Sequence, residues 1–200
     1  MNTTVKFTTV ALIVCLSTPF QALAKGSTSQ NTIGDAEINT LLVMREEEKL
    51  ARDAYQILYG VWEQPVFKNI GASEQKHMDA ILKKIKMFGL ADPALPEAGR
   101  FSNPTFQTLY DQFIQWVAQG NVSTVDALRV GAIVEDWDIK DLNAAIEATN
   151  NVALKNTYQN LLEASKQHLR KFVGLLREQG ADYNPQFIDQ ILFDAILDVE

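Results

Sequence analysis

From Asp35 onward the apolar residues recur at steps of three and four, and no stretch alternates as a strand would. The spacing predicts helices over 35–59, 66–88, 105–118, 123–148 and 152–178, with a short amphipathic helix starting near Phe187. The breaks carry helix punctuation. Gly60 and Gly89 follow the first two helices, Pro65 and Pro104 suit first turns, and Ser123 with Asp126 resembles a capping box. Residues 91–100 hold two prolines and a glycine, which makes them a long connection rather than a tight turn. Two helical hairpins with short loops, joined by a long crossover that carries an extra short helix, give an all-α fold. That connectivity is the ferritin-like four-helix-bundle arrangement rather than simple up-down-up-down.

Each long helix has an inward stripe, and each stripe is interrupted by polar groups near its middle. The first reads Leu41, Met44, Glu48, Ala51, Tyr55, Leu58, and the second Phe67, Ile70, Glu74, His77, Ile81, Ile85, Phe88. The third reads Leu128, Ala132, Glu135, Ile139, Leu142, Ile146, and the fourth Leu154, Tyr158, Leu161, Ser165, His168, Phe172, Leu175. Both histidines of the chain are among the interruptions. Burying a carboxylate without a partner is costly, so three glutamates and two histidines on core stripes call for a common cause. A divalent metal supplies one, because it neutralises carboxylates and takes imidazole lone pairs. The competing reading makes residues 44–49 a solvated charge run, with Glu48 paired to Arg52 one turn on.

The spacings agree with a shared register. Glu48 lies 11 residues before the end of its helix at Tyr59, while Glu74 and His77 lie 8 and 11 residues after Val66. Glu135 lies 14 residues before Thr149, while Ser165 and His168 lie 13 and 16 residues after Val152. At about 1.5 Å per residue, each hairpin places its polar groups at one height.

Composition and charge narrow the setting. The chain opens with Lys6, an apolar run over 10–16, Pro19 and an Ala-x-Ala ending at Ala24, the pattern of a secretory signal peptide over residues 1–24. Its apolar run is shorter than the roughly 20 residues a membrane span needs, and Val14 beside Cys15 speaks against a lipoprotein signal. Residues 25–34 then form a polar tether, and 35–200 a single domain. Cleavage after Ala24 predicts an exported protein, periplasmic or secreted, without a membrane attachment. It also removes Cys15, the one cysteine, so the mature chain has no disulfide and no thiol ligand. Loss of Lys6 takes the formal net charge from −7 to −8, which argues against nucleic acid as a partner. Metal ions are the expected partners, and a homo-oligomer stays open.

At these residues the chain resembles the ferritin-like superfamily of carboxylate-bridged dimetal proteins, whose pattern is one Glu from each of two helices and Glu-x-x-His from each of the other two. Glu48 resembles the first lone Glu and Glu135 the second; Glu74 and His77 match one Glu-x-x-His, and His168 the other histidine. Tyr55 resembles the tyrosine that ferritins often hold beside their metals. More closely, residues 44–53 (MREEEKLARD), 65–70 (PVFKNI), 73–78 (SEQKHM) and 168–172 (HLRKF) are similar to the prokaryotic family catalogued as domain of unknown function 2202. That resemblance spans roughly residues 38–190 and brings no assigned reaction.

One departure matters. Where the fourth helix should offer Glu it offers Ser165, and Glu163 lies about 140° around the helix from His168. Asp138, three residues after Glu135, reads either as the missing fourth carboxylate or as a surface acid beside Lys140. The resemblance implies a site of Glu48, Glu74, His77, Glu135, His168 and Asp138 for two divalent ions, iron first, with manganese or zinc as alternatives. Arg52 reads as a residue that orients Glu48. The leading expectation is reaction with oxygen or peroxide. The alternatives are a non-catalytic metal-binding or storage module and a metal-free helical interaction domain.

Overall fold

The structure, a computed structural model, describes residues 32–198; the expected signal peptide and most of the tether lie outside them. Among the described residues there are six helices and no strand: α1 (Asp35–Trp62), α2 (Pro65–Met87), α3 (Pro104–Val117), α4 (Thr124–Ala148), α5 (Val152–Glu178) and α6 (Gln190–Leu197). No described helix is long and apolar enough to cross a membrane.

The helix ends follow from their side chains. Ser123 and Asp126 close a reciprocal capping box at α4, and the Asn151 carboxamide accepts from the backbone N–H groups of Ala153 and Leu154 at α5. Pro65 and Pro104 open α2 and α3 in first-turn positions, where a missing N–H costs nothing. Two boundaries differ from those expected. α1 runs through Gly60 to Trp62 and stops at Glu63, whose φ of 52° is left-handed. Pro65 forces Gln64 into extended backbone, so the helix continues to the last residue that can hold it. α6 starts at Gln190, not Phe187, because the backbone N–H groups of Gln186, Phe187 and Ile188 are given to Asp136 instead of to a helix.

α1 and α2 form one antiparallel hairpin and α4 and α5 another. The hairpins meet where α1 packs on α4 and α2 on α5, while α3 covers α1 and α6 rests on α5. One end of the interior is filled by Tyr55, Phe67 and Phe172, with ring centroids 5.6–6.4 Å apart. Burial of each such ring contributes roughly 1.5–3 kcal/mol. Gly131 makes this packing possible: a Cβ there would collide with the Phe172 ring. The stripes run as expected except at the end of α5, where Leu176 is buried and Leu175 only partly so.

The segment 45–49 is not a solvated run. Arg45, Glu46, Glu47, Glu48 and Lys49 are all buried, so α1 presents charge to the interior on every side. Arg45 reaches Asp92 in a two-pronged pair at 2.9 and 3.0 Å, and Glu46 accepts from the backbone of Ser102 and Asn103. Lys49 Nζ donates to Asp53 at 2.6 Å and to the Glu97 carbonyl, and stands 4.4 Å over the Phe101 ring. These contacts fasten the crossover to α1.

Candidate metal centre

Glu48 lies mid-way along α1 and faces α2, where Glu74 and His77 are one turn apart on a common face. His77 Nδ1 stands 2.7 Å from Glu74 Oε2 and 3.2 Å from Glu48 Oε2. The second hairpin mirrors this. His168 Nδ1 stands 3.2 Å from Glu135 Oε2 on α4 and 3.0 Å from Glu74 Oε1 on α2. The two imidazole rings are 5.7 Å apart and nearly parallel, as the shared register expects. Two groups result, Glu48–Glu74–His77 and Glu74–Glu135–His168, each with one ligand atom per residue within 4.8 Å of the others. Glu74 belongs to both and gives one oxygen to each.

The donor set is consistent with cations rather than with a closed hydrogen-bond network. Each Nδ1 faces two carboxylate oxygens, and a single N–H cannot serve both well. Glu48 Oε1 is buried without a hydrogen-bond partner, and Glu74 Oε1 meets His168 without hydrogen-bond alignment. Glu48, Glu74 and Glu135 are each no more than 2 % exposed. Hard carboxylate oxygens with two imidazoles suit a divalent first-row ion.

The electrostatics of the protein groups state the same imbalance. Burial and the neighbouring Glu74 raise the Glu48 carboxyl to about 7, against the pull of His77. Burial would raise Glu74 too, but the two imidazoles win and hold it at about 2. Against the opposing effect of burial, the carboxylates lift His77 to about 12 and His168 to about 10. Burial and Glu74 push Glu135 upward despite His168. Two imidazolium charges thus face more buried carboxylate than they can balance.

Asp138 lies outside both groups. It is buried, not a surface acid, and Lys140 pairs with Asp141 instead. Its Oδ2 accepts from the Ser165 hydroxyl at 2.5 Å, so the serine on the fourth stripe holds the carboxylate that replaces it in sequence. Tyr55 donates its hydroxyl to Glu135 Oε1, with the Gly131 carbonyl 3.3 Å away. Burial, then the Glu135 and Glu74 charges, keeps that phenol protonated. Arg52 does not orient Glu48: its guanidinium donates to Asp53 and to Gln75, because the buried Asp53 carboxylate sits beside it.

Glu47 is a residue the stripes overlooked. Both its oxygens are buried without a partner. A usable signal existed, since Glu47, Ala51, Ala54 and Leu58 follow steps of four, three and four and are all buried.

Similarity to known proteins matches this picture of an uncharacterised family. The chain is 42% identical over 172 residues to the uncharacterized protein MJ0754 of Methanocaldococcus jannaschii, covering 86% of this chain and 91% of that one. It resembles the crystal structure of hypothetical protein MJ0754 from Methanococcus jannaschii with a TM-score of 0.78 at 41% identity, over 90% of this chain and 99% of that chain. Residues 37–200 match the profile of the uncharacterized protein domain DUF2202, and the chain belongs to that family.

Proposed function

We propose that the protein is an exported, ferritin-like four-helix-bundle protein that binds two divalent metal ions, iron foremost, in the layer between α1, α2, α4 and α5. The observation that carries this reading is Glu74, whose two oxygens each face a different histidine at 2.7 and 3.0 Å. A carboxylate shared in that way is a bridge between two cation positions. Glu48 and His77 complete the first position, and Glu135 and His168 the second. An iron pair, when bound, supplies electrons to oxygen or peroxide. The chain's own residues then have defined tasks. Tyr55 fixes Glu135 through its hydroxyl, and the apolar layer of Phe67 and Phe172 keeps water from that side.

The test is anaerobic Fe(II) loading of tag-free protein, with bound metal counted by elemental analysis. Two ions per chain are expected, and His77→Ala and His168→Ala should each lower the count. Loading well below one ion per chain would overturn the reading. Oxygen uptake by the loaded protein separates the roles: consumption supports oxidase-type chemistry, and its absence leaves storage or structural metal binding.

A further inference from the structure

Glu47 stands on α1 next to Glu48 but is turned about 100° from it, toward α4. Its neighbour Glu46 spends both oxygens on the backbone of Ser102 and Asn103. Glu47 has no such donor: Oε1 and Oε2 are both buried and unpartnered, on a residue only 5 % exposed. Across from it on α4, Asp138 shows the same want on one side. Its Oδ2 is fixed by Ser165, while Oδ1 is buried with no partner. Glu47 and Asp138 line one cavity of about 20 Å³, whose other wall is Glu48, Glu74 and Glu135, with Trp137 alongside. A polar space of that size has room for a single ion or water molecule.

We propose that Glu47 and Asp138 hold a further divalent cation in this cavity, outside the two positions bridged by Glu74. The proposal goes beyond the paired site and uses ligands that neither group contains. Its chemistry also differs. No imidazole and no thiolate lines the cavity, so the donors are carboxylate oxygens completed by water. Such a set suits hard ions that keep part of their hydration, such as Mn(II), Mg(II) or Fe(II), rather than ions that favour nitrogen. Ser165 acts as a positioning residue here, holding the Asp138 carboxylate so that its free oxygen is presented to the ion. Asp141, one turn beyond Asp138 and engaged with Lys140, adds negative charge near the cavity.

The test is Mn(II) binding to chelator-treated full-length mature protein, followed by equilibrium dialysis and by the loss of the free-Mn(II) electron paramagnetic resonance signal. Wild type should bind three ions per chain. Glu47→Gln, which keeps the side-chain volume, should bind two, and Asp138→Asn should reproduce that loss should Glu47→Gln fail to fold. His77→Ala should lose ions from the Glu74-bridged pair while keeping the Glu47-dependent one. Equal stoichiometry in wild type, Glu47→Gln and Asp138→Asn overturns the outer site, and if His77→Ala still loses an ion, the paired reading survives. A Glu47-dependent ion with no effect of His77→Ala overturns the paired reading and leaves the outer site standing. No Mn(II) bound by wild type overturns both.

Discussion

Two sets of buried carboxylates occupy neighbouring positions on the same helices and have opposite surroundings. Asp136 on α4 accepts from the Tyr183 hydroxyl at 2.7 Å and from three backbone N–H groups, and so pins the segment before α6. Asp53 on α1 accepts from Lys49, Arg52 and the Gly99 N–H. Against these, Glu47, Glu48 and Asp138 each keep at least one buried oxygen with no donor. The first set shows that this chain can satisfy a buried acid completely when an acid is there for structure. The second set is therefore not a failure of packing; its missing partners are of another kind. Satisfied acids hold loops, and unsatisfied ones wait for cations.

The comparison breaks most forcefully at the satisfied end. Asp53→Ala leaves Lys49, 1 % exposed, as an uncompensated buried charge, and unfolding in denaturant should show a loss of about 3–5 kcal/mol. That loss should be the same with and without chelator. Removal of metal comes next. With ion at a hundred times its dissociation constant, chelation should cost wild type about 2.7 kcal/mol in the same assay. Glu74→Gln should erase that chelator effect in one substitution, because Glu74 serves both groups.

A change of pH separates the two sets by sign. The folded protein holds extra protons on Glu48, raised to about 7, and on His77 and His168, raised to about 12 and about 10. Raised groups contribute stability that is present below their ordinary values and lost as pH climbs through the folded ones. In chelator, stability should decline as pH rises from 4.5 toward 10, while Glu74, held at about 2, adds loss only below 4.5. Metal must displace those imidazole protons, so its affinity should rise over the same window, with protons released into buffer and measurable by calorimetry. The smallest effect is expected from Glu48→Gln in chelator: an unfolding free energy within about 1 kcal/mol of wild type, since it removes a charge that no protein donor compensates. A loss as large as that of Asp53→Ala would abolish the distinction.

Much of this was legible in the spacing. Glu48, Glu74, His77, Glu135 and His168 interrupt stripes that periodicity alone defines, and a common height follows from about 1.5 Å per residue. Glu47 and Lys49 were hidden for a physical reason. A charge run on one helix looks solvated until something covers every face, and the cover comes from α3, α4 and the crossover, whose docking no local pattern encodes. The partner of Ser165 was equally out of reach. A serine reads as an absence at a ligand position, and only the facing helix shows it fixing Asp138. The α6 boundary moved for a similar reason, because Asp136 takes the amides that a longer helix would have used.

The sharing of Glu74 has a consequence for how the molecule is assembled. Glu48, Glu74 and His77 all come from α1 and α2, so one hairpin carries a whole set of donors. Glu135 and His168 come from α4 and α5, and their set is complete only when Glu74 arrives from the other hairpin. The first position is thus local to the early part of the chain. The second exists only after the halves have docked across the long crossover, the slow and entropically expensive event in closing the fold. An ion there is a clasp between halves, and the supply of metal sets how firmly the late-arriving half is kept.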